Sequence, residues 1–165
     1  MDEISVPIEL PLDDEGFIRR ECPHCELQFK WFHRQTPGDA SRDDEPQEPV
    51  EYHCPYCAQS AQADAWWTRE QIQHAQETAA AHVLNPLLGQ LKSDLERAND
   101  PGGMLHVEVH TDRVPEPEPI TESDDVLRVD FPCHPDEPLK LDPLWTQDVA
   151  CLICGKRYPL DQVRS

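Results

Sequence analysis

The chain is poor in cations: 14 Lys and Arg stand against 33 Asp and Glu, for a net charge of -19 over 165 residues. So acidic a surface repels phosphate backbones and anionic headgroups, which opposes general binding to nucleic acid or membranes. Apolar residues are also scarce, at 38% with a mean hydropathy of -0.70, and no apolar run is long enough for a membrane span. One large apolar core is therefore not expected in a chain with room for one ordinary domain or two small ones. Residues 1–10 open on two acids and lack a basic stretch followed by an apolar run, so a reducing, cytoplasmic setting is expected. Missing too are a nucleophile elbow, a phosphate loop, a Rossmann glycine pattern and H-E-x-x-H, and a non-catalytic protein is expected.

Proline and cysteine are plentiful instead, at 17 and 7 residues. The prolines imply loops and extended connectors, so something other than core volume must hold the fold. Six cysteines form the C-x-x-C pairs Cys22/Cys25, Cys54/Cys57 and Cys151/Cys154, and Cys133 stands alone. In a reducing compartment such pairs point to metal ligands or dithiol chemistry before disulfides. Each C-x-x-C turn brings two sulfurs to one side of a tight knuckle, and two facing knuckles build the tetrahedral thiolate cage zinc prefers. Residues 17–20 lead into the first knuckle, 27–32 alternate out of it and 50–53 lead into the second, so each knuckle is expected on a β-hairpin.

Cys22-Pro23-His24-Cys25 and Cys54-Pro55-Tyr56-Cys57 resemble the metal knuckles of zinc-ribbon and rubredoxin-like proteins. The resemblance covers residues 17–67 and implies a small β-hairpin fold around a metal, zinc first and iron as the alternative. Glu26 and Ala58 follow the second cysteines, where those families commonly carry glycine. The two tetrapeptides are also similar to thiol oxidase and glutaredoxin sites, but those open a helix, whereas Cys25 precedes the strand-like Leu27-Gln28-Phe29-Lys30-Trp31-Phe32.

A second site is expected from Cys133, Cys151 and Cys154, the last followed by Gly155 as in a complete knuckle. Its fourth ligand is open. His134 comes first, although adjacent ligands in an extended segment point to opposite faces and would need a local turn at Pro132 and Pro135. His110 and Asp136 are the alternatives.

The rest of the chain reads as a small α+β protein. Residues 1–67 form the N-terminal ribbon, with an acidic loop at 36–49. Residues 68–100 form a kinked amphipathic helix or a helix pair, opening on a capping box at Thr68 and interrupted at Asn85-Pro86. Residues 101–165 form an antiparallel β unit with the second knuckle and an acidic, proline-rich loop at 111–125. The leucines Leu87, Leu88, Leu91 and Leu95 are expected in a core, or at a homodimer contact. His106, Glu108 and His110 alternate on one face of an expected strand and could hold a catalytic metal, but such faces are usually polar for solvation.

With both metal sites filled by protein ligands, the expected function is that of an adaptor or regulatory protein binding a protein partner. The alternative is nucleic-acid binding through a basic, aromatic hairpin bearing Arg19, Arg20, Lys30, Trp31 and Arg34. Trp66 and Trp67 are further candidate interaction residues, tryptophans being part of the surface expected to meet a protein partner. A rubredoxin-like electron carrier is the third reading.

Overall fold

A computed structural model describes residues 6–32, 51–98, 112–124 and 126–165. The chain divides into two units, one of residues 10–69 and 121–165, the other of residues 1–9 and 70–120. The larger unit carries strands β1 (Phe17–Glu21), β2 (Gln28–Phe32), β3 (Glu51–His53) and β4 (Ser60–Gln62), and then a short 3-10 turn, Ala63–Trp66. After residue 121 come β5 (Leu127–Phe131), β6 (His134–Leu141), β7 (Val149–Ala150), β8 (Arg157–Tyr158) and a short helix, Leu160–Val163. All pairs are antiparallel, in a four-stranded sheet of order β1-β2-β6-β5 and two hairpins, β3-β4 and β7-β8. The segments 1–67 and 101–165, expected as separate units, thus contribute to one sheet, because β2 pairs with β6 through Lys30↔Lys140 and Trp31↔Leu139.

Register sorts the sheet into two unlike faces. One cross-strand row is apolar, Ile18↔Trp31↔Leu139↔Val129. Leu139 and Val129 are fully buried there, in a core shared with Phe29, Trp66, Phe131, Leu141, Cys22, Cys54 and Cys151. The adjacent row, on the opposite face, is cationic throughout: Arg19↔Lys30↔Lys140↔Arg128. Like charges directly opposite repel, so this row needs a counterion layer, which two acidic segments supply. Glu122 takes Arg19 at 3.0 Å and Lys30 at 3.1 Å. Asp13 takes Lys30 at 3.3 Å and Lys140 at 2.8 Å, while Glu15 reaches Lys140 at 3.0 Å and Arg128 at 3.3 Å. Asp124 adds a contact to Lys140 at 3.2 Å. Both lysines are buried, and such charges persist in a core only when paired and hydrogen-bonded.

The smaller unit is dominated by helix α1, whose span is Arg69–Ala98. Of the two expected forms, a single helix and a helix pair, the single helix is present, and it runs through Asn85-Pro86. Proline there removes one ladder bond. The adjacent Asn85 points outside the helix ladder: its carboxamide donates to the Val114 carbonyl at 3.1 Å and accepts the Val114 amide at 2.9 Å. Of the leucines expected in a core or at a homodimer contact, Leu87 and Leu91 are half exposed and Leu88 and Leu95 are half buried. No helix among the described residues is long and apolar enough to cross a membrane. The loop 36–49 and the expected strand bearing His106, Glu108 and His110 lie outside the described residues.

Candidate metal centres

The three C-x-x-C turns close with the same backbone bonds. The residue after each second cysteine donates its amide to the first cysteine's carbonyl: Glu26 to Cys22, Ala58 to Cys54 and Gly155 to Cys151, each at 2.9 Å. In return, Cys22, Cys54 and Cys151 donate to Leu27, Gln59 and Lys156 at 3.0, 2.9 and 2.9 Å. Closing the turn in this way requires a left-handed residue, and φ is 61° at Glu26, 62° at Ala58 and 68° at Gly155. The two non-glycine residues therefore keep the knuckle geometry at a conformational cost that glycine would not incur. Amides inside the turns point at sulfur, from His24 to Cys22 Sγ and from Tyr56 to Cys54 Sγ, both at 3.4 Å.

Site one joins the first two knuckles. Cys22 Sγ lies 3.7 Å from Cys57 Sγ, and Cys25 Sγ lies 3.7 Å from Cys54 Sγ. A zinc tetrahedron with bonds of ~2.3 Å has edges of about 3.8 Å, so these separations suit a metal at the centre. Cys22 and Cys54 are fully buried, and Tyr56 pins the second knuckle, donating its hydroxyl to the Gln28 carbonyl at 2.8 Å and accepting the Asp142 amide at 3.0 Å. His24 is not a ligand here; its Nε2 lies 3.1 Å from the Ser60 carbonyl.

Site two is Cys133, His134, Cys151 and Cys154, whose ligand atoms all lie within 4.8 Å of one another, as do those of site one. The adjacency of Cys133 and His134 is resolved by a hairpin. Phe131 pairs with His134 across β5 and β6, so Pro132 and Cys133 form the two-residue turn and His134 is already the first residue of β6. Side chains at the turn and at the strand end thereby converge where a continuous strand would separate them. His134 Nδ1 lies 3.4 Å from Cys151 Sγ, and Cys133 Sγ lies 3.6 Å from Cys154 Sγ. Asp136 is not in this cluster, and His110 lies outside the described residues.

The thiols are unequal. Burial pushes Cys25 up to about 11 and Cys151 up to about 12, and raises Cys54 as well. At Cys133 burial also opposes the thiolate, but contacts from Tyr158, His134 and the neighbouring thiols outweigh it and bring the group down to about 6. At Cys22 the amides of Cys25 and His24 likewise overcome burial and lower it. Four thiolates in site one, or three beside an imidazole in site two, cannot share so small a space without a cation, so both clusters suit a soft divalent metal that displaces the thiol protons on binding.

The residues expected to make contacts are placed very differently. Arg19 and Lys30 are held by Glu122 and Asp13 in the cationic row. Arg20 is buried, stacked 4.7 Å from the Trp31 ring centre and 4.1 Å from that of Trp67, and burial lowers its proton affinity. Trp31 packs against the core, Trp66 is fully buried, and Trp67 is partly exposed. Arg34 lies outside the described residues. Sequence reasoning missed the cation row and its acidic cover; each of the four strands contributes one cation to that row, and no strand by itself signals it. It also missed a groove of about 490 Å³ lined by Leu27, Tyr56, Asp142, Leu144 and Trp145, among others.

Compared with protein-family models, curated proteins and solved structures, the chain matches none. The functional reading therefore rests on the two cysteine clusters and on the surface around them.

Proposed function

We propose that this protein is a non-catalytic, zinc-stapled adaptor that presents its surface to a protein partner. The observation that carries the reading is that each cluster brings four protein ligands within tetrahedral reach. Four protein ligands complete a structural zinc and leave no position for a reacting water. Metal binding of this kind contributes on the order of 10 kcal/mol to folding small modules, which suits a chain with so little apolar material. The groove beside the first knuckle supports a contact role, since Leu27 and Leu144 expose their side chains at its rim.

Nucleic-acid binding through the β1-β2 hairpin is less well supported, because phosphate would have to compete with Glu122 and Asp13 for Arg19 and Lys30. Elemental analysis with a visible spectrum, on protein purified without added metal, tests the staple. Two zinc per chain and no colour support it. Iron whose visible absorbance bleaches on reduction would make site one an electron carrier and overturn the adaptor reading. Recovery from native lysate at moderate salt tests the partner, and the absence of any stoichiometric protein would count against it.

A further inference from the structure

We propose that the two cysteine clusters form one coupled pair, in which filling site one raises the metal affinity of site two, and site two is the exchangeable member. The inference rests on the reading of both clusters as metal sites and goes beyond it by assigning them different roles.

The coupling lies in the backbone between the second and third knuckles. His53, the residue before Cys54, donates its amide to the Leu152 carbonyl at 2.8 Å. Ala150, the residue before Cys151, donates its amide to the Pro55 carbonyl at 2.9 Å. Each knuckle thus offers the carbonyl that follows its first cysteine to the amide that precedes the first cysteine of the other. The arrangement is reciprocal, and it joins a fully buried ligand of each site, Cys54 of site one and Cys151 of site two, which share the same core. His53 also fixes the spacing: a β-carbon on Gly155 would stand 2.9 Å from its Nδ1 and 3.0 Å from its Cγ. Glycine at 155 therefore admits the imidazole to the closing turn of the third knuckle. A metal that locks Cys54 and Pro55 in place also locks the acceptor for Ala150, and through it the position of Cys151. Coupling between sites is mutual by thermodynamic necessity, so filling site two must raise the affinity of site one by the same factor.

The exchange role follows from accessibility. Site one buries Cys22 and Cys54 completely, with Cys25 and Cys57 half buried; in site two only Cys151 is buried, Cys133 and His134 are half buried, and Cys154 is exposed. An incoming chelator or thiol can displace the Cys154 and Cys133 sulfurs one at a time, whereas site one presents no fully exposed ligand. Loss of metal at site two would reach site one through the His53 and Ala150 amides. That would make the pair a sensor of available soft divalent metal with a protected anchor.

Cobalt(II) titration of the full chain tests both parts, because four-sulfur and three-sulfur-one-nitrogen cobalt centres have distinguishable visible bands. In the wild type both bands are expected. Cys25→Ser weakens site one through a knuckle that takes no part in the bridge, and should lower the cobalt affinity of site two by roughly tenfold with all four of its own ligands intact. Cys133→Ser should lower the affinity of site one by the same factor. Unchanged affinity at the untouched site, within twofold, overturns the coupling. If Cys25→Ser does not fold, Cys25→Asp keeps four donors as a three-sulfur-one-oxygen centre, distinct from site two, and permits the same measurement. His53→Ala leaves every ligand in place and should reduce the mutual effect; full coupling in that variant would refute the role of the imidazole. On challenge with a chelator, the three-sulfur-one-nitrogen band should disappear first, and earlier loss of the four-sulfur band refutes the exchange role. A wild-type chain that binds no cobalt at either cluster instead refutes the metal-site reading itself.

Discussion

Replacing Ala58 with glycine should stabilise this protein, although it removes a methyl group and adds freedom to the unfolded chain. Ala58 has φ of 62° because its amide must reach the Cys54 carbonyl at 2.9 Å. An L-residue in that region is strained by about 1 kcal/mol relative to glycine, so Ala58→Gly should gain about that amount. Glu26→Gly relieves the same strain at φ 61°, but it deletes an ion pair to Arg69 of 2.6 Å between largely exposed side chains. Such a pair contributes from nothing to ~1 kcal/mol, so the net gain at position 26 should be smaller than at 58. Gly155→Ala runs the other way. It introduces the strain at φ 68° and places a β-carbon 2.9 Å from the His53 ring, so the backbone and steric costs together should reach roughly 2–3 kcal/mol. Urea unfolding at fixed free zinc, followed by tryptophan fluorescence, ranks the three variants. An Ala58→Gly protein no more stable than the wild type, or a Gly155→Ala protein of unchanged stability, would refute the account of the knuckle turns.

Lys30→Met should destabilise by ~3 kcal/mol or more, because it strips a partner from the Asp13 and Glu122 carboxylates, whose side chains are only 2% and 3% exposed; chemical denaturation measures it, and a neutral result would mean that the row is not held by these charges. Trp66→Ala should cost about 3–5 kcal/mol, since the fully buried ring packs edge-on against Phe29 and tilted against Trp31; a thermal melt close to the wild type would contradict its place in the core. The pH dependence of the cationic row has a definite sign. At Asp13 burial favours the neutral acid, but the Lys140 contact and the amides of Phe17 and Glu15 outweigh it and hold the carboxyl below its ordinary value of 3.8. Its contribution is therefore full above that value and lost as pH falls through the lower folded one. The difference in stability between the wild type and Asp13→Asn should accordingly be constant near neutrality and shrink below about pH 4. Lys140 is raised above its ordinary 10.5 because the contacts to Asp13, Glu15 and Asp124 exceed the burial penalty. Its contribution persists at neutral pH and is lost only as pH rises through the higher folded value.

Local chemistry made much of this protein legible before any coordinates. C-x-x-C spacing alone predicts a knuckle, because two thiols three residues apart face one ion in a tight turn, and the alternation of residues 27–32 placed β2 beside the first of those turns. Composition likewise implied a fold held by something other than core volume. The pairing of β2 with β6 was not legible, since it joins segments more than 100 residues apart and nothing local to either encodes the register. With that register undetermined, Arg19, Lys30, Lys140 and Arg128 remained scattered cations rather than one row, and Arg19 and Lys30 read as a surface for phosphate. Tertiary structure also decided how Cys133 and His134 meet at one site, because their convergence depends on a hairpin whose turn falls between paired Phe131 and His134. The link between the two clusters had no sequence signal either. It depends on two backbone amides, which every residue but proline carries, brought opposite two carbonyls by the packing of distant knuckles. Spacing determined which side chains can share an ion; long-range pairing decided which charges are neutralised and which sites are joined.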